Sequence, residues 1–472
     1  MHNSRLPGRS TFTIGVEPRS KSLQKDDFFV RLVLQKLLGS GSCLSTIRIH
    51  EKISIKSLHL ILSAIPSLRN LKVEAIGRLD PIKLTFSSVP PENETKLNRP
   101  DRYEINALEK ATEPLKIESL EFGIFENDLA LSLLQTVRRC GSTMREFFIG
   151  IKSPGETNFE TWSSSYDGGG LEAMMEEGDV ISLPALEKLS IISDIQTNTS
   201  ITGFSQLFIH LVRDCQRLTK LKFEYCDVRK IMLALQEQGA KIQSLQIYPG
   251  IPLESPNEET NLLETRGSLQ TLSMTPHPRA NSPDIDTIFE HRGSIKRLCL
   301  RCGNGCFTRD KPYSCTVMST LLGSSEATKQ HQLNMENWPQ LEELGIECTS
   351  LETIPIIHRL KFLFLMLNNP TSERVVSEQK YKDIVDQYIV KLWRDSMSRY
   401  GEPPKLQVLA TPRRHSPVID YGVIYYVPHA ELKLPDGTPV VTQYTALSDI
   451  FEEPSWSVLL EKNNDQDHTF WE

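Results

Sequence analysis

Four cysteines close together form the part of the sequence best suited to chemistry. Cys299, Cys302, Cys306 and Cys315 follow the pattern C-x2-C-x3-C-x8-C. Four thiolates can hold a zinc ion tetrahedrally, although structural zinc sites usually bring their cysteines in closely spaced pairs. Cys299 also falls within a predicted strand. The spacing therefore favours free thiols beside a surface loop, and a metal-binding or catalytic protein that uses this cluster is the alternative interpretation.

Other motifs that carry chemistry are missing from the sequence. There is no H-E-x-x-H and no G-x-S-x-G, the signatures of zinc proteases and of nucleophilic serine hydrolases. The glycine-rich stretch at Gly39 has no following Lys-Ser or Lys-Thr for a phosphate loop. We therefore predict no catalytic residue and no cofactor, and we expect a protein that is not an enzyme.

A short apolar pattern recurs along most of the chain. In RGSLQTLSM (residues 266–274) and HRGSIKRLCL (residues 291–300), apolar residues stand at offsets of zero, three and five. Successive copies are 19 to 49 residues apart, and several of these steps match the ~20 to 29 residues of one leucine-rich unit. Eleven copies begin at Leu44, Leu68, Ile117, Met144, Leu186, Leu218, Ile242, Leu269, Ile295, Leu341 and Leu360, and a degenerate twelfth at Leu406.

A second element lies between the copies. Residues 127–141 and 228–240 place apolar residues three or four apart and finish at glycine or just beyond it, which is typical of an amphipathic helix with a C-terminal stop. The repeating unit is thus a helix, a tight turn and a short strand. One such unit cannot bury its apolar faces alone, but stacked units can, so the pattern predicts an α/β solenoid.

The copies resemble the L-x-x-L-x-L units of leucine-rich-repeat proteins. The stretches CQRLTKLKFEYC (residues 215–226) and PSLRNLKV (residues 66–73) are typical of fungal F-box and leucine-rich-repeat proteins, and the resemblance covers residues 26–411. It implies a horseshoe with a parallel sheet on the concave face and helices outside. It also implies a protein-interaction scaffold, as in the substrate receptor of an F-box-type ubiquitin ligase. No F-box is recognisable, because the Leu6-Pro7 pair is followed by GRSTFTIGVEP, which lacks a helical pattern.

The sequence predicts three segments. Residues 1–22 are polar and are expected to form a disordered tail, residues 23–412 the solenoid of 11 to 12 repeats, and residues 413–472 a C-terminal cap. The cap alternates apolar and polar residues around a PDGT turn, as strands do. We expect it to cover a patch of three large apolar residues, and an external partner is the alternative. The patch consists of Phe362, Phe364 and Met366. Irregular insertions rich in Pro, Gly, Ser and charge are expected at residues 87–104, 152–170 and 303–330.

Side chains at offsets two, four and six should project from the inner face of the sheet, because successive strand residues point to opposite faces. Most of these positions are polar and differ between copies, which favours recognition of a protein partner. A nucleic-acid partner is not expected, because no aromatics are interleaved with the basic residues and acidic ones lie next to them. The predicted partner-binding residues are Lys188, Lys220, Lys222, Tyr248, Arg297, Arg301, Glu343 and Glu347.

The composition indicates that binding of a partner depends on particular surface residues rather than on the overall charge of the chain. The 53 basic and 60 acidic residues give a formal net charge of -7, so no overall basic field attracts nucleic acid or a membrane surface. No stretch approaches the ~20 apolar residues that span a bilayer, and the first residues lack the apolar core of a signal peptide. The nine scattered cysteines indicate reduced thiols. We expect a protein of the cytoplasm or nucleus that does not bind membranes.

Overall fold

The computed structural model divides the chain into two compact units, Met1–Lys241 and Ile242–Glu472. It describes residues 10–14, 44–53, 58, 61–62, 65, 67–76, 115–124, 136–151, 182–193, 214–224, 234–248, 269–274, 288–300, 307–308, 311–312, 332–348, 356–367, 378–412, 423–435, 437–445 and 450.

Seven strands form a sheet in the first unit, with every neighbouring pair parallel. Their order in the sheet is their order in the chain. The strands are β1 (Ser10–Ile14), β2 (Leu44–Ile53), β3 (Asn70–Ile76), β4 (Ser119–Ile124), β5 (Glu146–Ile151), β6 (Lys188–Ser193) and β7 (Lys220–Glu224).

The register of the sheet follows the sequence repeat. Equal offsets of successive copies lie opposite each other, as Leu120 with Phe147 and Leu189 with Leu221 show. Residues at offsets zero, three and five of all eleven copies are buried, except Met274, which is half-buried. Fully burying such a side chain contributes about 1.5–3 kcal/mol. Matching the apolar positions of neighbouring strands therefore selects this register.

Backbone hydrogen bonds extend the ladder one residue before strands β4 to β7. The carbonyl of Arg145 accepts from the amides of Glu187 (2.8 Å) and Lys188 (3.0 Å), and the carbonyl of Glu187 accepts from those of Thr219 (3.1 Å) and Lys220 (3.0 Å). Each carbonyl thus uses both lone pairs. Because each carbonyl accepts two amides, the turn before a strand has the same register as the strand itself.

The sheet of the second unit begins parallel and ends antiparallel. Strands β8 (Ser244–Tyr248), β9 (Thr271–Met274), β10 (Arg297–Leu300), β13 (Glu343–Cys348), β14 (Phe362–Leu367) and β15 (Val408–Pro412) pair in parallel in that order. Strands β16 (Val423–Lys433) and β17 (Pro439–Tyr444) then add an antiparallel hairpin. Within residues 303–330, β11 (Phe307–Thr308) and β12 (Lys311–Pro312) form a separate two-stranded sheet.

Among the described residues, a long helix, α1 (Glu378–Tyr400), lies between β14 and β15 in the chain. It buries Val385, Tyr388, Ile389 and Leu392, whose spacing of three to four residues lines one helix face. Shorter helical segments occupy residues 136–139, 234–237 and 288–290.

The helix at residues 234–237 ends at Gly239, as the sequence predicts. Gly239 has φ of 69°, its amide donates to the carbonyl of Gln236, and the amide of Ala240 donates to that of Leu235. This pair of bonds around a left-handed residue is the Schellman motif.

Both units are thus open α/β arrangements built on mostly parallel sheets with linear strand order. The expectation of a disordered segment at residues 1–22 does not hold for Ser10–Ile14, which form β1. There Phe12 and Ile14 alternate with threonines and lie opposite Ile47 and Ile49, so the segment has the period and the β-branched residues of a strand. Within the described residues, no helix has both the length and the apolar character needed to cross a bilayer.

Candidate functional site

Side chains at even offsets form two rows across the sheet of the first unit, which together are named the polar face. Register partners at offset two and at offset four continue from β2 to β7. All of these residues are exposed or half-exposed except Ser190, which is buried. The first row is Thr46, Asn70, Ser119, Glu146, Lys188 and Lys220, and the second is Arg48, Lys72, Glu121, Phe148, Ser190 and Lys222.

Polar groups on β2 to β5 largely satisfy one another. The Asn70 amide donates to the hydroxyl of Thr46 at 3.1 Å. Lys72 Nζ lies 2.9 Å from Glu121 Oε1, and both side chains are partly exposed. The Ser119 hydroxyl donates to Glu146 Oε2 at 3.4 Å. These contacts join adjacent strands and hold the side chains in defined positions, so this part of the polar face is preorganised.

Lysines dominate the other end of the polar face. Lys188 of β6 and Lys220 of β7 are register partners, and Lys222 lies two residues further along β7. Lys220 is exposed, and Lys188 and Lys222 are half-exposed. The structure therefore brings together three of the predicted partner-binding residues.

The remaining predicted partner-binding residues fall in the second unit or outside the described residues. Arg297 Nε lies 2.9 Å from Glu343 Oε1, and Glu343 is only 6% exposed. Tyr248 and Glu347 lie in β8 and β13, but their side chains are outside the described residues, as is Arg301 altogether. The Arg297–Glu343 pair is thus engaged within the second unit, and the described part of the polar face consists of first-unit residues.

Even-offset residues of β14 lie in a buried apolar cluster. Phe362 and Phe364 are 0% and 3% exposed, and Phe364 is the register partner of Ala410. The other members are Cys299, Val408, Ala410, Val423 and Tyr425, with Val427, Tyr444 and Ile450 packed against the cluster. Several of these residues belong to the segment predicted as the cap. The side chain of Met366 lies outside the described residues.

The structure describes one of the four cysteines in the predicted metal cluster. Cys299 is 2% exposed and lies among the aromatic and aliphatic side chains of the apolar cluster, while Cys302, Cys306 and Cys315 lie outside the described residues. Among the residues that are described, no three His, Cys, Asp or Glu side chains come together in a way that could hold a metal ion.

Two other cysteines lie in the turns that precede strands. Cys140 comes four residues before the core residue Met144, and Cys215 comes three residues before Leu218. Burial raises the pKa of both thiols to about 12, with the charge of Asp214 contributing at Cys215 and that of Arg139 opposing at Cys140. At neutral pH both are therefore protonated, as structural rather than nucleophilic cysteines are.

A histidine that the repeat pattern does not select lies just before β14 and contacts α1. His358 is 7% exposed, its Nδ1 hydrogen-bonds the hydroxyl of Ser396, and its ring centroid is 4.9 Å from that of Tyr400. The Ser396 hydroxyl donates to the carbonyl of Glu402 at 2.9 Å. Because that hydroxyl donates its proton, its oxygen accepts from Nδ1–H. His358 and Ser396 are 38 positions apart in the sequence, so no local sequence motif predicts their contact.

No protein-family model matches the sequence, and no curated protein matches it.

Proposed function

We propose that the chain is a leucine-rich-repeat scaffold that binds a protein partner on the polar face of its first unit. The observation that carries this proposal is the contrast between the two units. Even-offset side chains are exposed or half-exposed polar groups on most of β2 to β7, whereas Glu343, Phe362 and Phe364 at the same offsets in the second unit are buried. An accessible and varied row of polar groups on a regular sheet favours recognition.

The dimensions of the polar face suit a macromolecule. Its six strands are spaced about 4.8 Å apart, so each row spans roughly 24 Å. Both signs of charge are present, with Glu121 and Glu146 near Lys188 and Lys220. Such a pattern favours a partner with complementary charges, because juxtaposed like charges penalise the wrong partner or the wrong register.

Affinity capture with variants of the full chain tests the proposal. We expect the substitutions Arg48→Glu, Glu146→Arg and Lys220→Glu, made together, to abolish capture of proteins that the wild-type chain retains. All three residues are exposed, so the fold should persist, as circular dichroism can check. The readout is quantitative mass spectrometry of the captured proteins.

A matched control uses exposed residues away from the polar face. Lys116, Glu237 and Lys241 are exposed and lie outside the two rows. The combined changes Lys116→Glu, Glu237→Arg and Lys241→Glu alter the net charge by the same amount as the polar-face variant and should leave capture unchanged. Equal capture by the wild-type chain, the polar-face variant and the control would overturn the proposed site.

The proposed role as substrate receptor of a ubiquitin ligase rests on the resemblance to F-box and leucine-rich-repeat proteins. It predicts that the full-length chain co-purifies with the adaptor that F-box modules bind. Recovery of a polar-face partner without that adaptor would support the scaffold and refute the ligase role.

A further inference from the structure

We propose that Lys188 and Lys220 recognise an acidic, extended segment of the partner protein. This inference rests on the proposed function and adds the chemical class of the partner.

Charges on neighbouring strands of this unit mostly alternate in sign. At offset one the register-related residues run Arg69, Glu118, Arg145 and Glu187, and Arg69 Nε lies 3.8 Å from Glu118 Oε1. Opposite charges that face each other across strands stabilise a sheet, and like charges destabilise it. The sheet therefore generally places opposite charges beside each other.

Lys188 and Lys220 depart from this rule. They are like charges on directly opposed positions, and neither side chain makes an ion pair or a hydrogen bond with any residue that the structure describes. Arg48 and Lys72 are also opposed, but Lys72 is neutralised by Glu121 at 2.9 Å. The lysine pair is thus a place where the sheet carries uncompensated positive charge.

The nearest carboxylate in the same row forms no ion pair with either lysine. Glu146 is the register partner of Lys188, but its Oε2 accepts from Ser119 on the opposite strand at 3.4 Å. Lys188 is half-exposed and Lys220 exposed, so their stems can pack while both ammonium groups remain available. An external anion can therefore bind both without displacing an internal partner.

Geometry favours an extended peptide as the source of that anion. Lys220 and Lys222 are two residues apart on β7, a separation of about 6.6 Å, and alternate residues of an extended peptide have the same spacing. Lys188 lies one strand away, at about 4.8 Å. A segment along β7 with carboxylates at alternate positions would place one near Lys188 and Lys220 and the next near Lys222.

Nucleic acid fits the same surface less well. Glu146 and Glu121 lie in the same two rows, where they would repel a continuous phosphate backbone, and Phe148 is the one aromatic residue in those rows. Proteins that bind single strands combine a basic groove with several aromatic stacking platforms. A short acidic segment, whose charge is confined to a few side chains, avoids that repulsion.

Fluorescence anisotropy with synthetic probes tests the inference on the full chain. The probes are a labelled peptide of about 12 residues, roughly 40 Å when extended, that alternates Glu and Thr, the same peptide with Gln for Glu, and a single-stranded oligonucleotide of matched length. We expect the Glu peptide to bind at least about tenfold more tightly than the Gln peptide at low salt, because exposed charges are least screened there. The double variant Lys188→Glu and Lys220→Glu should lose this preference.

The control variant Lys116→Glu and Lys241→Glu changes the net charge equally at exposed positions outside the polar face, and it should keep the preference. Unchanged peptide binding by the Lys188 and Lys220 variant would overturn the inference. Tighter binding of the oligonucleotide, lost in that variant, would assign the lysines to nucleic acid instead. Absence of binding to either peptide would also overturn it, while capture of partners through the polar face would still support the proposed function.

Discussion

At the scale of single residues, His358 links the stability of the second unit to pH. Burial lowers the pKa of its imidazole, and the positive charges of Lys405 and Arg359 act in the same direction, while Glu402 opposes them. The folded chain therefore holds His358 neutral at pH values where the unfolded chain, with an ordinary pKa of 6.5, begins to take up a proton. Its contribution to folding is fully present above about pH 6.5 and is lost as the pH falls through the lower folded pKa.

We predict that the free energy of unfolding of the second unit falls as the pH is lowered from neutrality to about pH 5, and that His358→Gln flattens this slope. Urea denaturation at a series of pH values measures it. Ser396→Ala is the control, because it removes a hydrogen bond worth about 1 kcal/mol but keeps the imidazole, and should therefore keep the slope. Identical slopes in the wild-type chain and His358→Gln would contradict the assignment.

Cys140 and Cys215 should not react with alkylating reagents in the folded chain. Burial raises the pKa of both thiols to about 12, and the thiolate is the form that alkylates. We predict that iodoacetamide at about pH 8, near the ordinary pKa of a free thiol, leaves both unmodified until denaturant is added, as peptide mass spectrometry will show. Modification of the folded chain at the rate of a free thiol would mean that these turns open readily.

At the scale of elements, the turns before the strands are packed against one another. A Cβ on Gly141 would collide with the carbonyl oxygen of Ser182, which precedes β6, and would lie 3.1 Å from that of Arg138. Gly293 occupies a similar turn before β10, but a Cβ there would meet nothing within 4 Å. The two glycines thus have similar neighbours in the sequence, but only Gly141 is closely packed against other atoms.

We predict that Gly141→Ala destabilises the first unit by roughly 1–3 kcal/mol, the usual cost of forcing extra atoms into a packed site. Gly293→Ala should be neutral, or stabilising by less than about 1 kcal/mol, because alanine restricts the unfolded chain. Thermal unfolding of both variants provides the comparison. A loss of stability in Gly293→Ala as large as in Gly141→Ala would show that the turn conformation, rather than the contact with Ser182, requires glycine.

The strands and their register could largely be predicted from the sequence, because one short pattern specifies both. Offsets zero, three and five mark buried residues, and offset two marks the first residue of strands such as Asn70 and Lys220. Strand β1 could not be found in this way, because Phe12 and Ile14 belong to no copy of the pattern.

The candidate site was only partly predictable, because burial at even offsets depends on distant residues. Lys220 and Phe364 occupy equivalent faces of their strands, yet Lys220 is exposed while Phe364 is covered by a cluster that includes Tyr425. Nor does the sequence show that Glu343, which lies opposite Arg297, is buried. Period and composition indicate which face a side chain occupies, but not which later strand packs against that face.

At the scale of the whole molecule, the net charge is negative, whereas the charge of the lysine group on the polar face is positive. The chain carries a formal net charge of -7, which disfavours polyanions in general, while Lys188, Lys220 and Lys222 concentrate positive charge at the end of the polar face. An acidic ligand that runs along β7 moves away from these lysines when it is lengthened, and one that turns across the sheet brings its additional carboxylates toward Glu146 and Glu121. In neither case does an added carboxylate reach a further lysine of this group.

We therefore predict that affinity for acidic ligands does not increase with their length. Poly-glutamate several times longer than the short probe peptide should compete no better per chain than that peptide, apart from a statistical factor for the number of binding registers. Proteins with extended basic surfaces behave oppositely, because every added phosphate or carboxylate releases further counterions. Competition anisotropy at constant ionic strength measures the difference. An affinity that rises about tenfold or more with ligand length would place the acidic-ligand site on a longer basic surface than the three lysines provide.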